Sequence, residues 1–236
     1  MSRRKRIALA VSGICAVLLI GVGAGAFLLR DDAADDLPVL NSNSRDEAQA
    51  IAYQTGEIEK EAFSKESVVL IQGEHICVES TEAQAISEKY KLSGEQDTYK
   101  KAVKFLLERE ALYWAADQAG YSTTSEEAQQ IVDEMRESFH QAVNFDVFLE
   151  YLDGAGMSEE EYWSDQVDIV AKERTMEKFV NAQKAQLSTS QGADDQPIEE
   201  RWEEKKQQII DSQIKQEHIR AVVDVPDVEQ VVKEYI

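Results

Sequence analysis

Leu106 to Met135 reads LLEREALYWAADQAGYSTTSEEAQQIVDEM, and this stretch decides the fold class. Leu106, Leu107, Ala111, Trp114 and Ala115 recur at spacings of three and four, a period that Tyr99 and Val103 extend upstream, so one face of a helix is apolar. Gly120 stands where a helix C-terminus takes a left-handed residue. Thr124 followed by Glu127 is a capping box, and Ala128, Ile131, Val132, Met135, Phe139 and Ala142 give the next helix its stripe. One helix stops and another starts within a few residues, which only a helical fold requires.

Working outward toward the C-terminus, Phe145, Phe148, Leu149 and Leu152 predict a short helix closed by Gly154-Ala155-Gly156. Ser158 with Glu161 caps a long helix from Glu159 to Leu187 through Trp163, Val167, Val170 and Phe179. Residues 187–196 are polar and aperiodic and read as a loop. Pro197 predicts the first turn of a further helix carrying Trp202, Ile209, Ile210 and Ile214. The run Ile219, Ala221, Val222, Val223, Val225 predicts a strand that Pro226 ends, with residues 227–236 a tail that is a short helix or frayed. Toward the N-terminus, Val68-Val69-Leu70-Ile71 and Glu74-His75-Ile76-Cys77-Val78 flank Gln72-Gly73, the signal of a hairpin with a two-residue turn. Ser80 or Thr81 opens a helix to about Tyr90, and Ser44 or Asp46 caps a weakly striped one to Phe63. With 11 Gly and 3 Pro in 236 residues there are too few turn-formers for a sandwich or barrel. The expected fold is mainly α with a small β-hairpin.

Arg3, Arg4, Lys5 and Arg6 precede an uncharged stretch at 7–29, which at about 1.5 Å per residue is long enough to cross a bilayer. The basic tip predicts a cytoplasmic N-terminus and an extracytoplasmic remainder. Ala24-Gly25-Ala26 leaves a second reading open, a signal peptide cleaved after Ala26 that would release a secreted protein. The organisation is then a tip and anchor at 1–30, a stalk at 31–44, one helical domain at 45–226 and a tail at 227–236. The formal charge is -21, and since residues 1–30 hold five cations and no acid, residues 31–236 carry -26. Such a chain repels polyphosphate, so nucleic acid is excluded as a partner.

No catalytic motif is present outside the membrane stretch: no G-x-S-x-G, H-E-x-x-H, C-x-x-C or Walker loop. His75, His140 and His218 lack metal-ligand spacing, so neither a metal nor a cofactor is expected. Cys77 is the one cysteine beyond the membrane stretch and excludes an internal disulfide there. As a nucleophile it would need His75 and an acid; as a small apolar residue it needs nothing. The reading is a non-enzyme. Trp114, Phe145, Phe148, Trp163 and Trp202 are core residues or, where grooves open between helices, the surfaces that would hold an extended apolar polypeptide.

VVLIQGEHICVES at 68–80 resembles the opening of SurA-like and PrsA-like extracytoplasmic chaperones, with Gln72 where that family usually has Asn. LLEREALYWAADQAGYSTTSEEAQQIVDEM resembles their next signature, and SEEEYWSDQVDIVAKERTMEKFV at 158–180 is similar to the helix that follows. The resemblance covers roughly residues 60–225. It implies an irregular helical lobe of the SurA N-terminal type into which relatives insert a parvulin isomerase domain. Here the loop at 187–196 takes that place, and the helix from Pro197 would be the one that returns to complete the lobe. The implied function is an ATP-independent, membrane-anchored foldase without isomerase activity that binds unfolded or exported polypeptides. An envelope scaffold using the same fold for one dedicated protein is the alternative.

Overall fold

The computed structural model describes residues 44–189 and 197–236. Among these, eight helices and three short strands follow in the order α1 (Arg45–Ser64), β1 (Val69–Gln72), β2 (Cys77–Glu79), α2 (Ser80–Leu92), α3 (Thr98–Gln118), α4 (Ser125–His140), α5 (Phe145–Ala155), α6 (Glu159–Thr189), α7 (Ile198–Gln216), β3 (Arg220–Ala221) and α8 (Pro226–Tyr235). The mainly helical class is as expected. The basic tip, the 7–29 stretch and the stalk up to residue 43 lie outside the described residues, as do residues 190–196 of the expected loop. No helix among the described residues is long and apolar enough to cross a membrane.

The caps set the helix starts. Ser44 Oγ accepts from Glu47 N to begin α1, and Thr124 with Glu127 closes a complete capping box on α4. Ser158 Oγ accepts from Glu161 N while Glu161 accepts from Ser158 N, which begins α6 the same way. Pro197 caps α7 from just outside it rather than sitting in its first turn; Pro226 does occupy the first turn of α8. The short helix α5 ends at Gly156 (φ 62°) and not at Gly154, which lies inside it. Gly154 and Gly56 have a packing task instead. A Cβ on Gly154 would run into the Tyr53 carbonyl, and one on Gly56 into the backbone of Tyr151 and Ala155, so α1 and α5 cross at a separation that only glycine permits.

Two cores form. The first gathers Leu70, Ile71, Ile76 and Val78 of the hairpin, Leu106, Leu107 and Leu112 of α3, Trp202, Ile210 and Ile214 of α7, and Val228, Val231, Val232 and Tyr235 of α8. The second, smaller core is made by Ala48 and Ala52 of α1, Val132 and Met135 of α4, Phe148, Tyr151 and Leu152 of α5, and Tyr162, Trp163 and Val170 of α6. The 31 residues of α6 run about 46 Å at 1.5 Å each and serve both, with Met176, Phe179 and Val180 entering the first core. The expected tail is therefore a packed amphipathic helix, and the domain extends through Tyr235.

The sheet has the order β2-β1-β3, all antiparallel. Ile71 lies opposite Val78 and, on its other side, opposite Ala221, so the C-terminal segment completes a sheet begun some 150 residues earlier. The hairpin connection is four residues, Gly73 to Ile76, closed by Gly73 N donating to Ile76 O at 2.8 Å, rather than a two-residue turn. The cause is long-range: Glu217 lies against Gly73 and its carboxylate takes the amides of this loop, an arrangement no local turn signal encodes.

Candidate functional site

The five aromatic residues expected to contact polypeptide fall into different places. Trp202 is 1% exposed in the first core, and Phe148 and Trp163, each 3% exposed, form the second core with Tyr162. Their rings stack edge-on among themselves, Phe148 on Tyr162 at 4.9 Å and Tyr162 on Trp163 at 4.9 Å, so they present no groove. Phe145 is half-buried at the edge of that core, against Phe148 and His140. Trp114 is half-buried on α3 and stacks on the His75 ring, with centroids 4.3 Å apart and planes 17° from parallel. The large apolar side chains left exposed are Tyr53 on α1, Leu149 on α5, Val143 between α4 and α5, Val68 and Val222 at the sheet, and the terminal Ile236.

The histidine on Trp114 belongs to the constellation that joins the two ends of the chain. Glu217, buried at the end of α7, accepts from His75 N at 2.5 Å, from Ile76 N at 3.1 Å and from the His75 ring at Nδ1, 3.1 Å away. Its backbone carbonyl accepts Glu74 N at 3.1 Å. Burial raises the Glu217 carboxyl, but the His75 and Ile76 amides and the imidazole outweigh it and hold the group below its ordinary range. A carboxylate on Nδ1 fixes the ring as the Nδ1–H tautomer, an arrangement able to hold or pass a proton at Nε2. Glu217, far away in sequence, is thus the acid on the His75 ring. Cys77 itself is half-buried at the start of β2.

A second constellation lies between α2, α3 and α6. Lys172 pairs with Glu110 and its Nζ stands 4.8 Å from the centre of the Tyr113 ring; Arg109 is held by Glu173. Glu82, in the first turn of α2, faces these groups and is pushed up to about 7, first by burial and then by the charge of Glu110. Burial and a neighbouring like charge are the two physical causes that raise a carboxyl, and both act on Glu82.

A third is sealed. Glu59 of α1, buried, takes Lys89 of α2 and accepts Tyr151 Oη of α5 at 2.5 Å, and burial outweighs both partners in raising it. Its task is to fasten α1 and α5 to α2 where the two cores meet. Neither Glu217 nor Glu59 stands out in the sequence, because each is one acid among 46 and only the fold shows which are buried. Among the described residues no group of three or more His, Cys, Asp or Glu could hold a metal ion. Set against known proteins, the chain matches no family model, no curated protein and no solved structure.

Proposed function

We propose that this chain is a membrane-anchored extracytoplasmic chaperone lobe that binds unfolded or exported polypeptides without ATP and without isomerase chemistry. The observation that carries the reading is the way the chain closes. Beyond residues 190–196, which lie outside the described residues, α7 packs on α3 as the returning helix that the resemblance to the SurA and PrsA type implies, and β3 and α8 complete the sheet and the first core beside it. With Phe148, Trp163 and Trp202 committed to cores, clients meet Tyr53, Leu149 and Val143, the last 88% exposed, on and beside the helices of the second core. The charge of -26 beyond residue 30 keeps a loaded complex soluble.

The test is aggregation of a denatured reporter in the presence of the full-length chain in detergent. Suppression is expected at a few-fold molar excess and is expected to weaken several-fold in a Tyr53→Ser, Val143→Ser, Leu149→Ser variant. No suppression, together with no binding of an unfolded peptide, ends the proposal. One observation favours the scaffold alternative: these three residues are few and confined to one part of the molecule, as for a single defined partner. Cross-linking in cells separates the two, since a chaperone captures many exported proteins and a scaffold captures one.

A further inference from the structure

The two cores share no buried apolar residue, and polar side chains line the seam between them. On α6, Ala171 packs on the smaller core and Met176 enters the larger one, and the four residues between are Lys172, Glu173, Arg174 and Thr175. Lys172 pairs with Glu110 and Glu173 with Arg109, both on α3. Thr175 Oγ1 accepts from Thr123 N, in the connection from α3 to α4, at 2.9 Å, and donates to Ala171 O at 2.8 Å, a bond back along the helix of a kind that weakens it locally. Where α1 meets α2, the tie is again ionic, the buried pair of Glu59 and Lys89. Ion pairs taken out of water mainly recover the cost of their own burial, so such a seam fixes where the two halves meet and adds little to hold them together.

We propose that the smaller core is a cooperative unit of its own: α1, α4, α5 and α6 as far as Ala171 open together while the larger core stays folded. The smaller unit is the one that opens first because it buries fewer apolar residues. Its opening puts the rings of Phe148, Tyr162 and Trp163 in water and leaves Leu106, Trp202 and Val231 enclosed. Glu59 is the latch of this device: paired with Lys89 it is at ease in the closed state, and unpaired it gains its hydration only when the unit opens. The device is independent of the chaperone reading, since it concerns the chain alone.

Hydrogen exchange of the full-length chain in detergent tests it, followed peptide by peptide by mass spectrometry at increasing urea below the unfolding midpoint, where reclosing outruns exchange. Peptides from α1, α4, α5 and residues 159–171 are expected to converge on one opening, with protection about tenfold or more below that of α3, α7 and α8. Lys89→Met strands Glu59 in the smaller unit; it is expected to quicken exchange in that group by about tenfold or more and to leave α3, α7 and α8 within about twofold of wild type. Glu110→Gln cuts the tie to Lys172 and is expected to act on the same group by several-fold, which serves if Lys89→Met is misfolded. Convergence of all peptides on one common opening overturns the proposal, as does a variant that quickens both groups equally. Separate openings for α1, α4 and α5, each with its own urea dependence, overturn it as well.

Discussion

Lys89→Met tests how the two cores are fastened together. The wild-type pair is almost wholly out of water, Lys89 at 4% and Glu59 at 2% side-chain exposure, and Tyr151 Oη adds a third contact to the same carboxylate. Removing the ammonium leaves a buried carboxylate with one neutral donor, for which about 3–5 kcal/mol of stability is lost. In a chain of this size that corresponds to a fall in melting temperature of roughly 6–20 °C. The loss has a pH signature. Burial already raises Glu59 against the pull of Lys89, and without Lys89 the folded-state value climbs further above the unfolded one. The folded protein then keeps a proton that the unfolded chain releases, so stability falls as pH rises, by at most about 1.4 kcal/mol per unit from the unfolded value of roughly 4.3 up to the folded one. Urea unfolding at pH 5 and pH 8 should therefore show a larger deficit at pH 8. Adding Glu59→Gln, which keeps an acceptor for Tyr151, should bring stability back to within about 1–2 kcal/mol of wild type, because a pair removed whole costs far less than a pair broken. An equal deficit at both pH values, or a double variant as unstable as the two singles summed, would refute the assignment of Glu59 as a sealed, Lys-neutralised anion.

Four further outcomes follow from the same packing. Glu82→Gln should stabilise the protein at pH 8 and have little effect at pH 4.5: the wild-type group, raised to about 7, holds its proton in the fold between its unfolded value and 7 and loses stability across that window, at most about 3.4 kcal/mol, as unfolding at the two pH values will show. Glu217→Ala should cost about 3 kcal/mol by urea unfolding, since it leaves the His75 and Ile76 amides unanswered; the wild-type contribution is present above the ordinary carboxyl range and fades as pH falls through the depressed folded value. Trp202→Ala should cost about 3–5 kcal/mol, and deletion of residues 197–236 should give an aggregating product, because Trp202, Ile214 and Val231 then leave the first core open; a soluble fragment ending at Gln196 that unfolds cooperatively contradicts that packing.

The helix boundaries were legible because their signals are local. Thr124 with Glu127 and Ser158 with Glu161 announce helix starts within four residues, and the structure begins α4 and α6 there. What sequence reading missed depends on contacts between distant residues. The hairpin loop is four residues because Glu217, more than 140 positions on, binds its amides. By its sequence the C-terminal tail is a short helix or frayed, and the packing of Val228, Val231 and Val232 onto the first core makes it a helix. The aromatic residues carried no mark of core or surface, since a periodic stripe looks the same in either role until its partners are known. The candidate site was less legible still: Glu82 lies in an ordinary first-turn position, and only the surroundings supplied by α3 and α6 make its charge unusual.

The sharing of α6 between two cores sets an order of assembly. Every core residue named for the smaller cluster lies between Ala48 and Val170, whereas the larger one is incomplete until Trp202, Ile214 and Tyr235 arrive. A chain made or threaded from its N-terminus can therefore close the smaller cluster while the far half of α6 still shows Met176, Phe179 and Val180 to water. Those side chains wait, exposed and adhesive, for the last forty residues. The interval between the two closures is when this protein is itself most open to aggregation, and its length is set by how quickly α7 and α8 follow.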